Sequence, residues 1–302
     1  MRLNDLILFA VVFGSMGAAV MFPVAGEAFQ PFLLYFMMLL LFLSFLRIDF
    51  RAFLDTSPSS LFRLAVMTAV KLLILPAALY YLSLAIIPEY AIPVLLLSGI
   101  STGVVAPFIA TLVAADVAGV LRMVVATSLV VPFSLPSLVK VLAGAEIRIP
   151  LTTMVELLAV VVFVPITAVV ILRRCLPSAL QVLAERQFPV SLVLFAMINL
   201  GVFSKYSSFF FNHPGSILLS IALAYVLSAI YFITGVLMTP GLNLNERVAA
   251  GVSLALMNNV LVIVFSSRFF GPLSPTLAAM YMFPFFTMIV PVKLIASRMQ
   301  QK

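Results

Sequence analysis

Ser101-Thr102-Gly103-Val104-Val105-Ala106-Pro107 interrupts an otherwise apolar run from about residue 91 to 115. Such a run is long enough to cross a bilayer, which takes about 20 apolar residues. Three small or hydroxylated residues followed by a proline at mid-depth make a poor continuous helix. Proline removes a backbone donor and glycine weakens the helix on its other side. Backbone of this kind inside a membrane is tolerated only where it is buried in protein or lines a cavity. The stretch therefore predicts a broken membrane helix in a polytopic bundle.

The rest of the chain fits that setting. It has 302 residues, 64% of them hydrophobic and only 9% charged, with a mean hydropathy of +1.27. Soluble domains carry about 25% charged residues, so there is too little charge here to cover a globular surface. Apolar segments predict spans near 4–24, 30–47, 60–86, 91–115, 119–143, 151–173, 188–205, 214–239, 247–267 and 273–295. The first run lacks a small-residue cleavage pattern and is expected to stay as a helix. About ten spans fill the chain, leaving no extramembrane domain.

One cysteine, Cys175, excludes an internal disulfide and a thiolate metal cluster, and the single His213 falls in a predicted connection. No cofactor or metal is expected. The 17 basic residues are scattered, which argues against a nucleic-acid stripe. Sorted by side, they are strongly biased. Arg2, Arg47, Arg51, Arg63, Arg122, Arg173, Arg174, Arg186, Arg247, Lys293, Arg298 and Lys302 share one face; Lys140, Arg148, Lys205 and Arg268 share the other. The bias places both termini in the cytoplasm and favours an even number of spans. A compact chain with minimal tails suggests a bacterial inner membrane.

Ten spans divide into two sets of five with opposite topology, about 1–145 and 146–302. This is the inverted-repeat plan of many secondary transporters. Span nine, the counterpart of span four, carries Met257-Asn258-Asn259 at similar depth. Matched interruptions point to a midplane binding site. The simpler alternative is a proline kink and an interhelical asparagine contact.

Several segments together resemble the sodium–bile acid symporter family. Met37-Met38 through Leu46-Arg47-Ile48-Asp49-Phe50 is similar to the family's second helix and its Asp-Phe exit. Span four with Ala114-Ala115-Asp116-Val117 resembles its broken helix and following turn. Glu246-Arg247 through Met257-Asn258-Asn259, then Phe269-Phe270-Gly271-Pro272, resembles the ninth helix and its loop. The resemblance implies a core of spans 3–5 and 8–10 and a panel of spans 1, 2, 6 and 7. Broken helices four and nine would cross in the core, with substrate between the two parts. It also implies sodium ligands, and here the sequence departs. The family's helix-nine glutamate falls at Ser253 or Leu254, its Ser-Asn pair at Ala106-Pro107, and its helix-three glutamine at Lys71 before Pro76. Hydroxyl ligands on span five fall at Val120 and Val124.

Lys71 lies eight residues beyond Arg63, roughly 12 Å deeper along a helix. A cation near mid-bilayer costs about 2.5–3.5 kcal/mol on insertion scales and is a functional-site candidate by default. It could fill the space of an ion, carry a proton, or be a snorkelled or paired structural lysine. Arg122 is near enough to Asp116 to snorkel to the cytoplasmic interface, and Glu156 enters span six from outside. The expected function is a secondary transporter of a small organic anion by alternating access, without the usual sodium sites. Its candidate site residues are Lys71, Ser101, Thr102, Gly103, Pro107, Asn258 and Asn259, with Thr127 and Ser128 as weaker additions. A proton or sodium ion is the candidate coupling partner. A sodium symporter with rearranged ion sites is the alternative, followed by a channel or an intramembrane enzyme.

Overall fold

The computed structural model describes residues 3–46, 57–144 and 149–287. The Asp49-Phe50 motif and the charges at Arg2, Arg47, Arg51, Arg148, Lys293, Arg298 and Lys302 lie outside them. The described chain is helical, with no strand beyond one isolated bridge. Its helices are α1 (Leu3–Met21), α2 (Pro23–Glu27), α3 (Leu33–Phe45), α4 (Pro58–Ala69), α5 (Leu75–Ile86) and α6 (Ala91–Ser98). Then come α7 (Ala106–Leu112), α8 (Val117–Ala143), α9 (Leu151–Cys175), α10 (Pro177–Glu185), α11 (Gln187–Ser204) and α12 (Ser207–Asn212). The last are α13 (Pro214–Leu237), α14 (Leu244–Ala255), α15 (Asn259–Phe269), α16 (Leu273–Met280) and α17 (Met282–Thr287).

Six helical stretches are long and apolar enough to cross a membrane: Pro23–Phe45, Pro58–Ile86, Val117–Ala143, Leu151–Cys175, Gln187–Ser204 and Pro214–Leu237. Five coincide with predicted spans, and Pro23–Phe45 covers most of the predicted span 30–47 but starts seven residues earlier. Their outward faces carry residues such as Val160, Val164, Ile171, Leu218 and Ile233, all exposed. Apolar surface of this extent suits lipid and not water.

Local chemistry sets the helix ends. Ser57 caps α4 by accepting from the Ser60 amide, with Pro58 in the first turn. Asp116 caps α8 through the amides of Ala118 and Gly119. Asn243 and Glu246 form a reciprocal capping box at the start of α14. Three short helices, α2, α10 and α12, form where connections are predicted. After Arg173-Arg174 the sequence suggests only a connection, yet α10 forms there. Pro177 starts it, and the apolar Leu180 is buried while Gln181 and Glu185 face outward. A short amphipathic turn of this kind carries too few residues to stand out from a loop.

Packing divides the helices unequally. α1 and α2 lie against α11, α11 against α3, and α3 against α9. Elsewhere α5 packs on α6, α7 and α14 on α8, α13 on α14, and α16 on α6, α13 and α15. α8 meets α9, and α15 touches both α3 and α11. The two interruptions predicted from sequence, 99–105 and 256–258, have irregular backbone and fall within the second set.

Candidate functional site

The segments 99–105 and 256–258 pair with each other. Thr102 and Met257 form an antiparallel bridge. The Gly103 amide donates to the Leu256 carbonyl at 2.8 Å, and the Asn258 amide donates to the Ser101 carbonyl at 3.0 Å. Glycine is needed at 103, because a Cβ there would lie 2.7 Å from the Met257 carbonyl oxygen. Backbone freed by breaking two helices thus satisfies itself across the break, as apolar surroundings require.

A helix leaves its last four carbonyls without intrahelical partners. At the end of α14 all four are taken. The Val252 carbonyl accepts from the Leu256 amide at 3.0 Å. Ser253 accepts from the Thr102 hydroxyl at 2.8 Å, Leu254 from the Lys71 ammonium at 2.6 Å, and Ala255 from the Tyr281 phenol at 2.7 Å. Three side chains from separate parts of the chain converge on one helix end. At the end of α6 the Tyr231 phenol donates to the Ser98 carbonyl at 3.1 Å.

Lys71 reaches this position through a π-helical turn, Val70–Ile74. Pro76 has no amide to donate and its ring crowds the carbonyl four residues back. The ladder widens instead, with the Leu75 amide bonded to the Val70 carbonyl. Lys71 is 0% exposed. Its Nζ also lies 3.2 Å from the Met257 sulfur and 5.3 Å from the centre of the Tyr231 ring. Among the described residues no carboxylate pairs with it; the ion pair seen there joins Arg122 to Asp116 at 3.7 Å.

The remaining candidates fall into place around the pairing. Thr127 accepts from the Thr102 amide at 2.9 Å and donates to the Met123 carbonyl at 2.6 Å. The Asn258 side chain caps α15 through the Leu261 amide at 3.4 Å. Asn259 is buried, and neither its carbonyl nor its amide nitrogen has a hydrogen-bond partner among the described residues. The hydroxyls of Ser101 and Ser98 are likewise buried and unpartnered. Two candidates stand apart. Ser128 is buried on α8, with no described hydrogen bond to the paired segments. Pro107 is half-buried in the first turn of α7, where its carbonyl accepts from Thr111. Sequence reasoning missed Tyr231 and Tyr281. Both lie well inside predicted spans, away from the interfaces where membrane tyrosines gather, and that displacement was the available signal.

A cavity of about 70 Å³ reaches Ser253 near the end of α14. Arg63, Met67, Asp116, Arg122, Glu246 and Ser253 are among its walls. Ser253 is therefore shared between the cavity and the capped end of α14.

The model of the sodium bile acid symporter family matches residues 31–213. The chain belongs to that family. Its members are membrane transporters and not enzymes, and the chain is accordingly an integral membrane protein of transporter type. The match takes in Lys71 and the first interruption and ends before the second. No curated protein matches the sequence. The family's name implies sodium, so its fit can be tested on these residues. Among the described residues no group of three His, Cys, Asp or Glu comes together. Lys71, Leu254, Ala106, Pro107, Val120 and Val124 bring no carboxylate to the pairing. The Leu254 carbonyl is already bonded to an ammonium, and a sodium ion bound there would face that positive charge at close range. These residues do not fit a sodium ion.

Proposed function

We propose that the chain is a secondary transporter that moves a small organic anion by alternating access, with substrate held at the paired interruptions of spans four and nine. In this reading α6 with α7, and α14 with α15, are the broken halves of two membrane helices. Spans one, two, six and seven form a panel, the others a core, and the two inverted repeats meet at the pairing. The helix packing supports that division, since the elements of each set lie mainly against one another.

One observation carries the proposal: the Asn259 carboxamide is buried at the start of α15 with both ends unpartnered. A buried amide left without hydrogen bonds costs about 1–3 kcal/mol. Such a cost suits a group that meets its partner only when substrate is present. Half-helix N-termini carry partial positive charge and favour an anionic group nearby. The cavity that reaches Ser253 supplies a route, lined by Arg63, by Arg122 paired with Asp116, and by Glu246. By the charge bias of the loops this mouth faces the cytoplasm.

The test is uptake into proteoliposomes of labelled taurocholate and of a panel of small carboxylates and sulfonates, with wild type beside Asn259→Leu. Saturable uptake of at least one anion is expected, and the variant should lose roughly tenfold or more, equivalent to about 1.4 kcal/mol. Its thermal stability should stay level or rise, because an unsatisfied amide is replaced by an apolar group. Flux that never saturates would indicate a channel, and recovery of a chemically altered anion an enzyme. Equal uptake by variant and wild type would remove Asn259 from the site.

A further inference from the structure

Three basic side chains bond carbonyls at or near helix C-termini on other helices. Arg173 donates to the Leu46 carbonyl at 2.6 Å just beyond α3, and Lys205 to the Ser267 carbonyl at 3.1 Å near the end of α15. Cations are favoured at such ends, where the helix dipole is negative. Arg173 is half-buried and Lys205 exposed, so water shares in solvating both. Lys71 has no such help. It is wholly buried, and its ammonium rests on a carbonyl oxygen, a thioether sulfur and an aromatic face. These partners are all neutral. Each turns electron density toward one point without bringing a negative charge to it. Helix C-terminal ends and unwound carbonyls in broken membrane helices are the places where transporters hold small cations.

We propose that Lys71 is a tethered cation at an ion position. Its ammonium occupies the place at the end of α14 that a free monovalent cation would otherwise fill, and the transporter works without sodium. The geometry accounts for three features together. Lys71 lies buried in a π-helical turn, the last four carbonyls of α14 are all satisfied, and no carboxylate is needed to hold a mobile charge. A tethered ion cannot be released with substrate, so it fixes the paired segments in every state of the cycle. The inference rests on the pairing being the transport site, but its test does not use transport.

Purified full-length protein is heated in sodium chloride, ethylammonium chloride or choline chloride at equal ionic strength, and surviving monodisperse protein is measured by size exclusion. Wild type is expected to melt at the same temperature in all three. Lys71→Ala empties a space shaped for an ammonium. It should melt lower in choline and recover by roughly 5 °C or more in sodium or ethylammonium, as a bound ion stabilises the folded state. A wild type stabilised by sodium over choline overturns the proposal. So does a folded Lys71→Ala protein that melts alike in the three salts. Should Lys71→Ala give no folded protein, Lys71→Met and Lys71→Arg decide. A methionine variant as stable as wild type overturns the tethered cation, whereas survival of the arginine variant alone supports it. If these arms behave as expected while no anion is ever taken up, the cation assignment stands and the transport site is the part that fails.

Discussion

The two interruptions look alike in sequence position yet are built differently. At 256–258 every carbonyl at the end of α14 has a partner, one of them an ammonium, and the Asn258 side chain caps the helix that follows. At 99–105 the end of α6 is held by the Tyr231 hydroxyl, and α7 starts at Ala106 with Pro107 in its first turn and no side-chain cap. Proline needs no cap for the amide it lacks. The first interruption is thus shaped largely by backbone constraint, through Gly103 and Pro107. The second is shaped by side chains arriving from elsewhere in the chain. Two interruptions that pair with each other need not share chemistry, and of the two a positive charge sits only where the carbonyls converge.

Substitutions can test that asymmetry, beginning with the largest expected effect. Gly103→Ala places a methyl 2.7 Å from the Met257 carbonyl and must push the paired segments apart. A loss of about 3 kcal/mol in stability is expected, within the range for overpacking against backbone. If the melting temperature is unchanged, backbone approach is not what shapes the first interruption. Removing one hydroxyl from each helix end gives a smaller effect. Tyr281→Phe leaves the Ala255 carbonyl unpartnered and Tyr231→Phe does the same for Ser98. Each should cost about 1 kcal/mol. Combined with Lys71→Ala, the Tyr281 change should be non-additive, because both serve the same helix end. Additive losses would mean that the carbonyls of α14 act independently.

The smallest effect lies just beyond the first interruption. Ala114, in the turn between α7 and α8, has a φ of 54°, a conformation that disfavours any side chain by about 1–2 kcal/mol. Ala114→Gly should raise stability by up to about 1 kcal/mol, since glycine also loses more entropy on folding. A fall in melting temperature would show that the Ala114 methyl contributes packing that outweighs the strain.

Much of the bundle was legible in advance because apolar length is a strong local signal. Five of the six long spans begin and end within a few residues of the run that predicted them, and Pro23–Phe45 starts seven residues before its predicted run 30–47. Short amphipathic pieces were not legible: α10 follows two arginines and is too brief to show a period. The pairing of the two interruptions was legible in part. Ser101, Thr102, Gly103 and Asn258 meet as their spacing in two interrupted spans suggested. Thr127 joins them through the Thr102 amide. Pro107 and Ser128 do not, because one belongs to the helix beyond the break and the other has no bond to the pairing. Lys71 stood out as an anomaly of depth, but its partner did not. Tyr281 and Tyr231 were passed over because a tyrosine carries no charge to mark it.

By itself the sequence determined that the chain lives in a membrane, where its long apolar helices run, and that the segments 99–105 and 256–258 are poor helix. Those outcomes follow from local composition: apolar length, proline, glycine and the cost of charge in lipid. Only the tertiary structure decided what satisfies the broken backbone. The Lys71 ammonium meets a carbonyl 183 residues away, and Thr102 meets one 151 residues away. Orphan carbonyls in an apolar interior must find donors, but which donors reach them is set by how the helices pack. No local pattern carries that choice.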